Sequence, residues 1–340
     1  MMKRLSNLYP QIADPDNLRL AFCKAVRGKQ DRAEVIRFRA DFEKNIHKLH
    51  RQLLLEEPDI GHYRFFTVCD PKPRRICAAS FPERVLHHAI MNICEPALNA
   101  YHIYDTYACM PGRGQYKALD RAVGFSGSAP WYLQLDIKHY FYSIDHCTML
   151  DFLGRRFKDK RLLNLFARLL DSFHSKPGKG VPIGNLISQH LANYYLGIFD
   201  HWVKEERRCK KYLRYMDDFV LFGQCRKKLR QELCHIEEYL RDTLQLQLRQ
   251  PIKLNRCRLG LTFLGYRVFP GGLRLSAQSK KRFIRKLKKY EKMYQLGIWD
   301  EKTLSRHVEP LIEFTRHAKA EGFRRTVLER YGGCPEARTA

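Results

Sequence analysis

The stretch Tyr212-Leu213-Arg214-Tyr215-Met216-Asp217-Asp218-Phe219-Val220-Leu221-Phe222-Gly223 reads as two short β-runs joined at an aspartate pair, a hairpin with carboxylates at its tip. Adjacent carboxylates in so apolar a setting repel each other and lose hydration, a cost that a bound divalent cation would offset. An isolated Asp-Asp pair can equally be no more than a turn, a position aspartate favours. About eighty residues earlier a second apolar β-run, Leu133-Gln134-Leu135-Asp136-Ile137, ends in another carboxylate, which alone could be a strand-end or N-cap aspartate. Together Asp136, Asp217 and Asp218 supply three carboxylates on two strands, the set needed to hold two Mg²⁺ ions. In nucleotidyl transfer one ion would lower the pKa of the primer 3′-hydroxyl and the other would neutralise charge on the departing pyrophosphate.

The rest of the chain is the opposite of acidic. Its 340 residues carry 62 Lys+Arg against 36 Asp+Glu, a net charge of +26. Such a field concentrates polyanions and gains affinity by counterion release, so a nucleic-acid partner is the economical explanation, with a basic soluble surface or an anionic lipid face as the alternatives. Hydrophobic residues at 44% and aromatics at 12% exclude a disordered chain. The 11 cysteines are dispersed with no C-x-x-C pair, so a zinc site is not expected. There is neither a membrane-length apolar run nor a signal peptide, which points to free thiols in a reducing, intracellular compartment.

Outward from the two acidic runs, the periodicity predicts one amphipathic helix from Arg32 to Leu55, on the spacing of Val35, Phe38, Phe42, Ile46, Leu49 and Leu53. A hairpin follows with a basic tip at Pro71-Lys72-Pro73, then a helix from about Pro82 to Ala100. The segment from Tyr107 to Ala118 (YACMPGRGQYKA) is a Gly/Pro loop leading into a helix through Val123, which SGSAP breaks. A helix is expected over HCTMLDFLGRRF. KPGKGVPIGNLISQ is a second glycine-rich loop, opening a helix with Ser188 as N-cap. A long helix covers about Lys227 to Leu244, two further β-runs end in FLGYRVF and GGLRLS, and the chain is helical and very basic from about Ala277. His87 and His88 lack ligand spacing and read as surface or packing histidines.

The order Asp136-x-x-x-x-Phe141, a glycine-rich loop ending in Ser188-Gln189, YMDD, then Phe263-Leu264-Gly265-Tyr266 resembles the successive palm motifs of reverse transcriptases, from about residue 60 to 270. The resemblance implies an α+β right-hand polymerase fold. Residues 1–130 would be N-terminal helices and fingers, 131–270 an antiparallel-sheet palm with intervening helices over 147–205, and 271–340 a helical basic thumb. It implies that Asp136, Ile137, Asp217 and Asp218 form the metal set, for two Mg²⁺ with Mn²⁺ as a substitute. Phe141 would be the steric gate against a ribose 2′-hydroxyl, although a Phe beside a strand is commonly core. Arg74 would contact the incoming triphosphate, unless it is a solvated loop charge, and Ile183, Gly184 and Gln189 would pack on template and nucleotide. Phe263, Leu264, Gly265 and Tyr266 resemble the primer grip, or are ordinary core.

The C-terminal helix supports duplex binding on physical grounds. Between Lys280 and Lys292 eight of thirteen residues are basic, among them Lys280, Lys281, Arg285, Lys288 and Lys289, while Phe283, Ile284, Leu287, Tyr290 and Met293 keep an apolar face. A basic but merely solvated helix is the competing reading.

Most reverse transcriptases carry Gln-Gly and Ser-Pro in the loop before the long helix, whereas this chain has Ile183-Gly184-Asn185-Leu186-Ile187-Ser188-Gln189. That form, YACMPGRG and the compact length resemble the reverse transcriptases of diversity-generating retroelements, with one departure at Ile187, where threonine is usual. The narrower resemblance implies a cytoplasmic, prokaryotic or phage-encoded enzyme that makes cDNA from a template RNA and misincorporates opposite template adenine. Its partners would be dNTPs, the RNA, the cDNA/RNA duplex and a small basic accessory protein oligomer. A defence- or intron-type enzyme is the alternative, an intron origin being disfavoured by the short C-terminus; no appended endonuclease, zinc module or RNase H domain is expected. A non-catalytic RNA-binding scaffold is the third reading, and it would have no need of three clustered carboxylates.

Overall fold

A computed structural model describes residues 4–69 and 73–332 of the chain. The elements run α1 (Tyr9–Ala13), α2 (Pro15–Val26), α3 (Ala33–Ala40), α4 (Phe42–Leu54), β1 (Tyr63–Cys69), β2 (Pro73–Ala79), α5 (Phe81–Asn99) and α6 (Gln115–Gly127). Then come β3 (Trp131–Asp136), α7 (Tyr140–Ser143), α8 (His146–Arg156), α9 (Lys160–Asp171), α10 (Leu186–Tyr195) and α11 (Gly197–His201), which continues as a π-helical turn, Trp202–Glu206. The C-terminal half holds β4 (Tyr212–Tyr215), β5 (Asp218–Gly223), α12 (Arg226–Asp242), β6 (Lys253–Arg256), β7 (Leu261–Phe263), β8 (Tyr266–Phe269), β9 (Gly272–Leu275), α13 (Ala277–Gln295), α14 (Glu301–Arg316) and α15 (Glu321–Tyr331).

The two acidic runs become the inner strands of one antiparallel sheet, ordered β4-β5-β3-β6. Strand parity divides their side chains between two cores. Leu133, Leu135, Phe219 and Leu221 enter the main core, which α5, α8, α10 and α12 also line. Tyr132, Val220 and Phe222 enter a second core closed by α6 and the three-stranded sheet β7-β8-β9. A third small core, built on Phe283, Leu287 and Val327, joins α13 to α15.

Several local expectations are corrected. The amphipathic run from Arg32 to Leu55 is two helices, broken at Asp41 (φ −116°, ψ 46°). In an unbroken helix the Phe38 carbonyl would accept from the Phe42 amide; here it accepts from Asn45 Nδ2 at 3.0 Å. Ser188 is not an N-cap. The helix begins at Leu186 behind an extended Asn185, whose Oδ1 accepts from Ala79 N at 3.2 Å, and Ser188 is buried in the first turn. α6 runs past Val123 to Gly127, so the break falls at Ser128.

Helix α9 lies inside the 147–205 span where helices were expected but was not placed individually, and strand β6 was not anticipated. α9 is strongly amphipathic, and its N-cap Asp159 also accepts from Leu8 N and Tyr9 N, each at 2.9 Å, tying the N-terminal helices to it. The predicted hairpin is present as β1 and β2, paired from Tyr63↔Ala79 to Cys69↔Pro73; Pro71 and Lys72 of its tip lie outside the described residues, as does Cys334. His87 is buried with its Nε2 3.5 Å from Oε1 of buried Glu83, one turn earlier, in keeping with a packing role. The described cysteines are all free thiols, and no helix among the described residues is long and apolar enough to cross a membrane.

Candidate functional site

Asp136 closes β3 and Asp218 opens β5, and the register places them directly opposite each other. Both fall on the parity of Tyr132, Gln134, Val220 and Phe222, so the carboxylates share one face. Asp217 occupies the turn between β4 and β5, where Met216 adopts a left-handed φ of 56°. The Asp217 carbonyl accepts from Ile137 N at 3.3 Å, fastening the turn to the end of β3. The Ile137 side chain is fully buried, leaving its backbone carbonyl as the atom it could offer a cation.

The cluster is electrostatically unfavourable as it stands. Burial, reinforced by the Asp136 charge, pushes Asp217 up to about 6. Burial likewise pushes Asp218 up to about 7; the amide of Gln134, donating to Asp218 Oδ1 at 3.1 Å, pulls the other way, and Asp136 and Asp217 add to the rise. Arg249 compensates in part, its Nη1 lying 3.2 Å from the Asp136 carboxylate and its backbone N donating to the Asp136 carbonyl at 2.8 Å. An all-oxygen donor set whose charges are this costly suits a hard divalent cation, and the residues present fit a Mg²⁺ pair.

Beneath the turn is a network the sequence reading missed. Arg214 is fully buried and makes a two-pronged ion pair with Asp200, Nε to Oδ1 at 2.7 Å and Nη2 to Oδ2 at 2.5 Å. Its Nη1 donates to Asn193 Oδ1 at 2.8 Å and to the Met216 carbonyl at 2.9 Å. Asp200 also accepts from Tyr212 Oη at 2.6 Å and Thr106 Oγ1 at 2.7 Å, so its lone pairs are well satisfied. A lone basic residue in an apolar β-run was the available signal, because a buried strand carries a charge only when it is paired.

Arg74 is exposed on β2, and its charge reaches Asp217, which it helps to ionise. Phe141 is half-buried on α7, five residues after Asp136, and its carbonyl accepts from Val181 N at 2.8 Å. The Ile183 carbonyl accepts from Cys77 N at 2.8 Å, docking the glycine-rich loop against the hairpin. Gly184 has a φ of 115°, and a Cβ there would sit 2.7 Å from Ile76 Cγ2, so only glycine fits. Gln189 is exposed, with Cys109 Sγ 3.7 Å from its Oε1.

Phe263 and Tyr266 are buried core, and Leu264-Gly265 form the β7–β8 turn with φ of 48° and 87°. The Gly265 carbonyl accepts from Ser279 Oγ at 2.6 Å, fixing this turn to the start of α13. On α13, Lys280, Lys281, Arg285, Lys288 and Lys289 are exposed, whereas Phe283 and Leu287 are buried.

Comparison with known proteins gives the chain its family. Residues 70–268 match the family model described as reverse transcriptase (RNA-dependent DNA polymerase), and the chain belongs to that family. It is similar to protein YkfC of Escherichia coli, 23% identical over 272 residues, covering 64% of this chain and 70% of that protein. It is also similar to the group II intron-encoded protein LtrA of Lactococcus lactis, 27% identical over 139 residues, which are 39% of this chain but 23% of LtrA. In three dimensions it resembles apo telomerase from Candida tropicalis, with a TM-score of 0.52 at 10% identity over 85% of this chain and 64% of that one. That likeness supports the α+β polymerase fold. The chain thus spans less than two thirds of both LtrA and the telomerase chain.

Proposed function

We propose that this chain is the polymerase of a diversity-generating retroelement, copying a template RNA into cDNA with errors concentrated at template adenines. The observation that carries the polymerase part is the cross-strand pairing of Asp136 with Asp218, with Asp217 on the adjoining turn, in a chain of charge +26. Asp136, Asp217 and Asp218, with the Ile137 carbonyl, would hold two Mg²⁺ or Mn²⁺ ions. Bound there, the ions would activate the primer 3′-hydroxyl and stabilise the departing pyrophosphate.

The chain's own residues supply position and selection. Arg74 meets the triphosphate, Phe141 walls off a 2′-hydroxyl, and Gly184 and Gln189 with Ile183 bound the nascent base pair. Residues 263–266 hold the primer end, and the exposed lysines and arginine of α13 grip duplex phosphates. On this reading 1–130 serve as N-terminal helices and fingers, 131–270 as palm and 271–340 as thumb. The template RNA, dNTPs, the cDNA/RNA duplex and a small basic accessory protein oligomer are the partners.

Ile183 supports the error-prone part: a side chain that cannot hydrogen-bond stands in a loop where glutamine is usual. Discrimination falls by the ~1–3 kcal/mol that one good polar contact supplies. The intron relatives favour a second reading, an intron- or defence-type enzyme of ordinary fidelity. Sequencing cDNA made on a defined RNA separates the two. Errors concentrated at adenine and reduced in Ile183→Gln are expected; equal error rates across the four template bases would remove the retroelement reading and leave the polymerase one. Undiminished primer extension by Asp218→Asn or Asp136→Asn would remove both.

A further inference from the structure

A second group of metal-binding side chains shares no residue with the carboxylate site. His146 is the first residue of α8, Asp171 the last of α9, and His174 follows three residues later. One ligand atom from each lies within 4.8 Å of the others.

The buried member of the set is already prepared as a ligand. His146 is only 5% exposed, and its Nε2 lies 2.7 Å from the Gly180 carbonyl. A carbonyl can only accept, so Nε2 carries the proton and Nδ1 presents its lone pair. That Nδ1 is buried without a hydrogen-bond partner. A ring held through one nitrogen by a backbone carbonyl, with the other nitrogen open, is the arrangement that orients metal-ligating histidines.

The exposed members are close to ligand spacing as they stand. His174 Nε2 and Asp171 Oδ1 are 3.7 Å apart, against the ~3.4 Å that separates two ligands at ~2.0–2.2 Å from a tetrahedral ion. The His146 and His174 rings are tilted by 37° to each other with centroids 5.2 Å apart. Two imidazoles and one carboxylate select Zn²⁺, Co²⁺ or Ni²⁺ over Mg²⁺, and three ligands leave one position for water. The neighbouring loop carries two lysines, Lys176 and Lys179, and Lys179 donates to Gln245 Oε1 at 2.8 Å and lies 4.0 Å from the Asp145 carboxylate.

We propose that His146, Asp171 and His174 bind one zinc-class transition-metal ion, through His146 Nδ1, an Asp171 carboxylate oxygen and a ring nitrogen of His174. The ion clasps the end of α9 to the start of α8. The loop that follows is stitched to Ile144 and Phe141 by the backbone bonds Gly180 N to Ile144 O and Val181 N to Phe141 O, each 2.8 Å. The clasp therefore stiffens the approach to the glycine-rich loop. It does not rest on the polymerase reading.

The test strips the full chain with a chelator and dialyses it against micromolar Zn²⁺, or Co²⁺ for its visible absorption, with millimolar Mg²⁺ present to occupy the carboxylates. Wild type should retain one ion per chain, and Co²⁺ should show the absorption of a four-coordinate nitrogen and oxygen site. His174→Asn, a change on an exposed side chain, should weaken binding at least ~10-fold, His146→Gln should abolish it, and Asp217→Asn should leave it intact. The cysteines stay in every variant, so an ion held by thiols would persist in all of them. Failure of wild type to retain an ion, or equal retention by His174→Asn, overturns the proposal.

Discussion

Arg214 lies two residues before the turn that presents Asp217, and Arg214→Lys keeps its charge while removing the planar fork. Lysine can retain one contact to Asp200 but cannot also reach Asn193 and the Met216 carbonyl. Breaking a fully buried ion pair costs ~3–5 kcal/mol, and a charge-assisted hydrogen bond contributes ~1.5–3 kcal/mol. Arg214→Lys should therefore lose ~2–4 kcal/mol of stability and Arg214→Met ~3–5 kcal/mol. Met216 sits at a positive φ that costs a non-glycine residue ~1–2 kcal/mol, and the bond from Arg214 Nη1 helps to hold it there. Released, the turn shifts Asp217, and a displacement of ~1 Å lowers a rate by ~100-fold. Chemical denaturation and single-turnover primer extension over a Mg²⁺ titration measure the two effects separately. The lysine variant is expected to extend primers ~100-fold more slowly and to require more Mg²⁺, with RNA binding unchanged. Lost stability with unaltered extension would reduce Arg214 to a core residue and refute the argument about the turn.

In metal-free protein, Asp217 at about 6 and Asp218 at about 7 bind protons more tightly folded than unfolded, where 3.8 is usual. Their contribution is therefore full below pH 3.8 and is lost as pH rises through 6 to 7. At ~1.4 kcal/mol per tenfold change in proton affinity, with solvent screening part of the repulsion, the loss is ~2–4 kcal/mol. Asp218→Asn should raise the metal-free Tm at pH 8 by ~5 °C while abolishing extension, and a Tm equal to wild type would show the repulsion to be negligible. Burial depresses His88 to about 4 and His102 to about 3, so their contribution is present above pH 6.5 and is lost as pH falls toward those values. Between about pH 4 and 6 the falling aspartate contribution and the rising histidine contribution oppose each other, so metal-free stability should change little there, and a steep slope across that range would contradict the two pairs of shifts. Phe141→Ala should raise ribonucleotide incorporation relative to deoxyribonucleotide in single-nucleotide extension; an unchanged ratio would assign the gate elsewhere.

The acidic strands, the hairpin and the basic C-terminal helix were legible because each advertises itself locally, by alternation, turn residues or helical spacing. Even the facing of Asp136 and Asp218 follows from parity once the two strands pair. Long-range partners were not legible. Nothing in a one-dimensional pattern says that Gln134 will donate to Asp218, that Asp200 on α11 will sit under Arg214, or that Arg249 will reach Asp136. β6 escaped because Lys-Leu-Asn-Arg is too polar to read as a strand; it is an edge, paired on one side with β3. The helix break at Asp41 escaped because apolar spacing survives a kink that a single side-chain hydrogen bond imposes.

The glycine-rich loop and the β1–β2 hairpin are joined by the bond between Cys77 N and the Ile183 carbonyl, and by the space that Gly184 leaves for Ile76. A joint that close leaves no room for one part to slide over the other. Any movement of the hairpin carrying Arg74 would therefore take the loop carrying Ile183 with it. On the proposed reading, a badly seated base pair at the loop would be transmitted to the phosphate grip, so the quality of the fit would govern how far the hairpin closes.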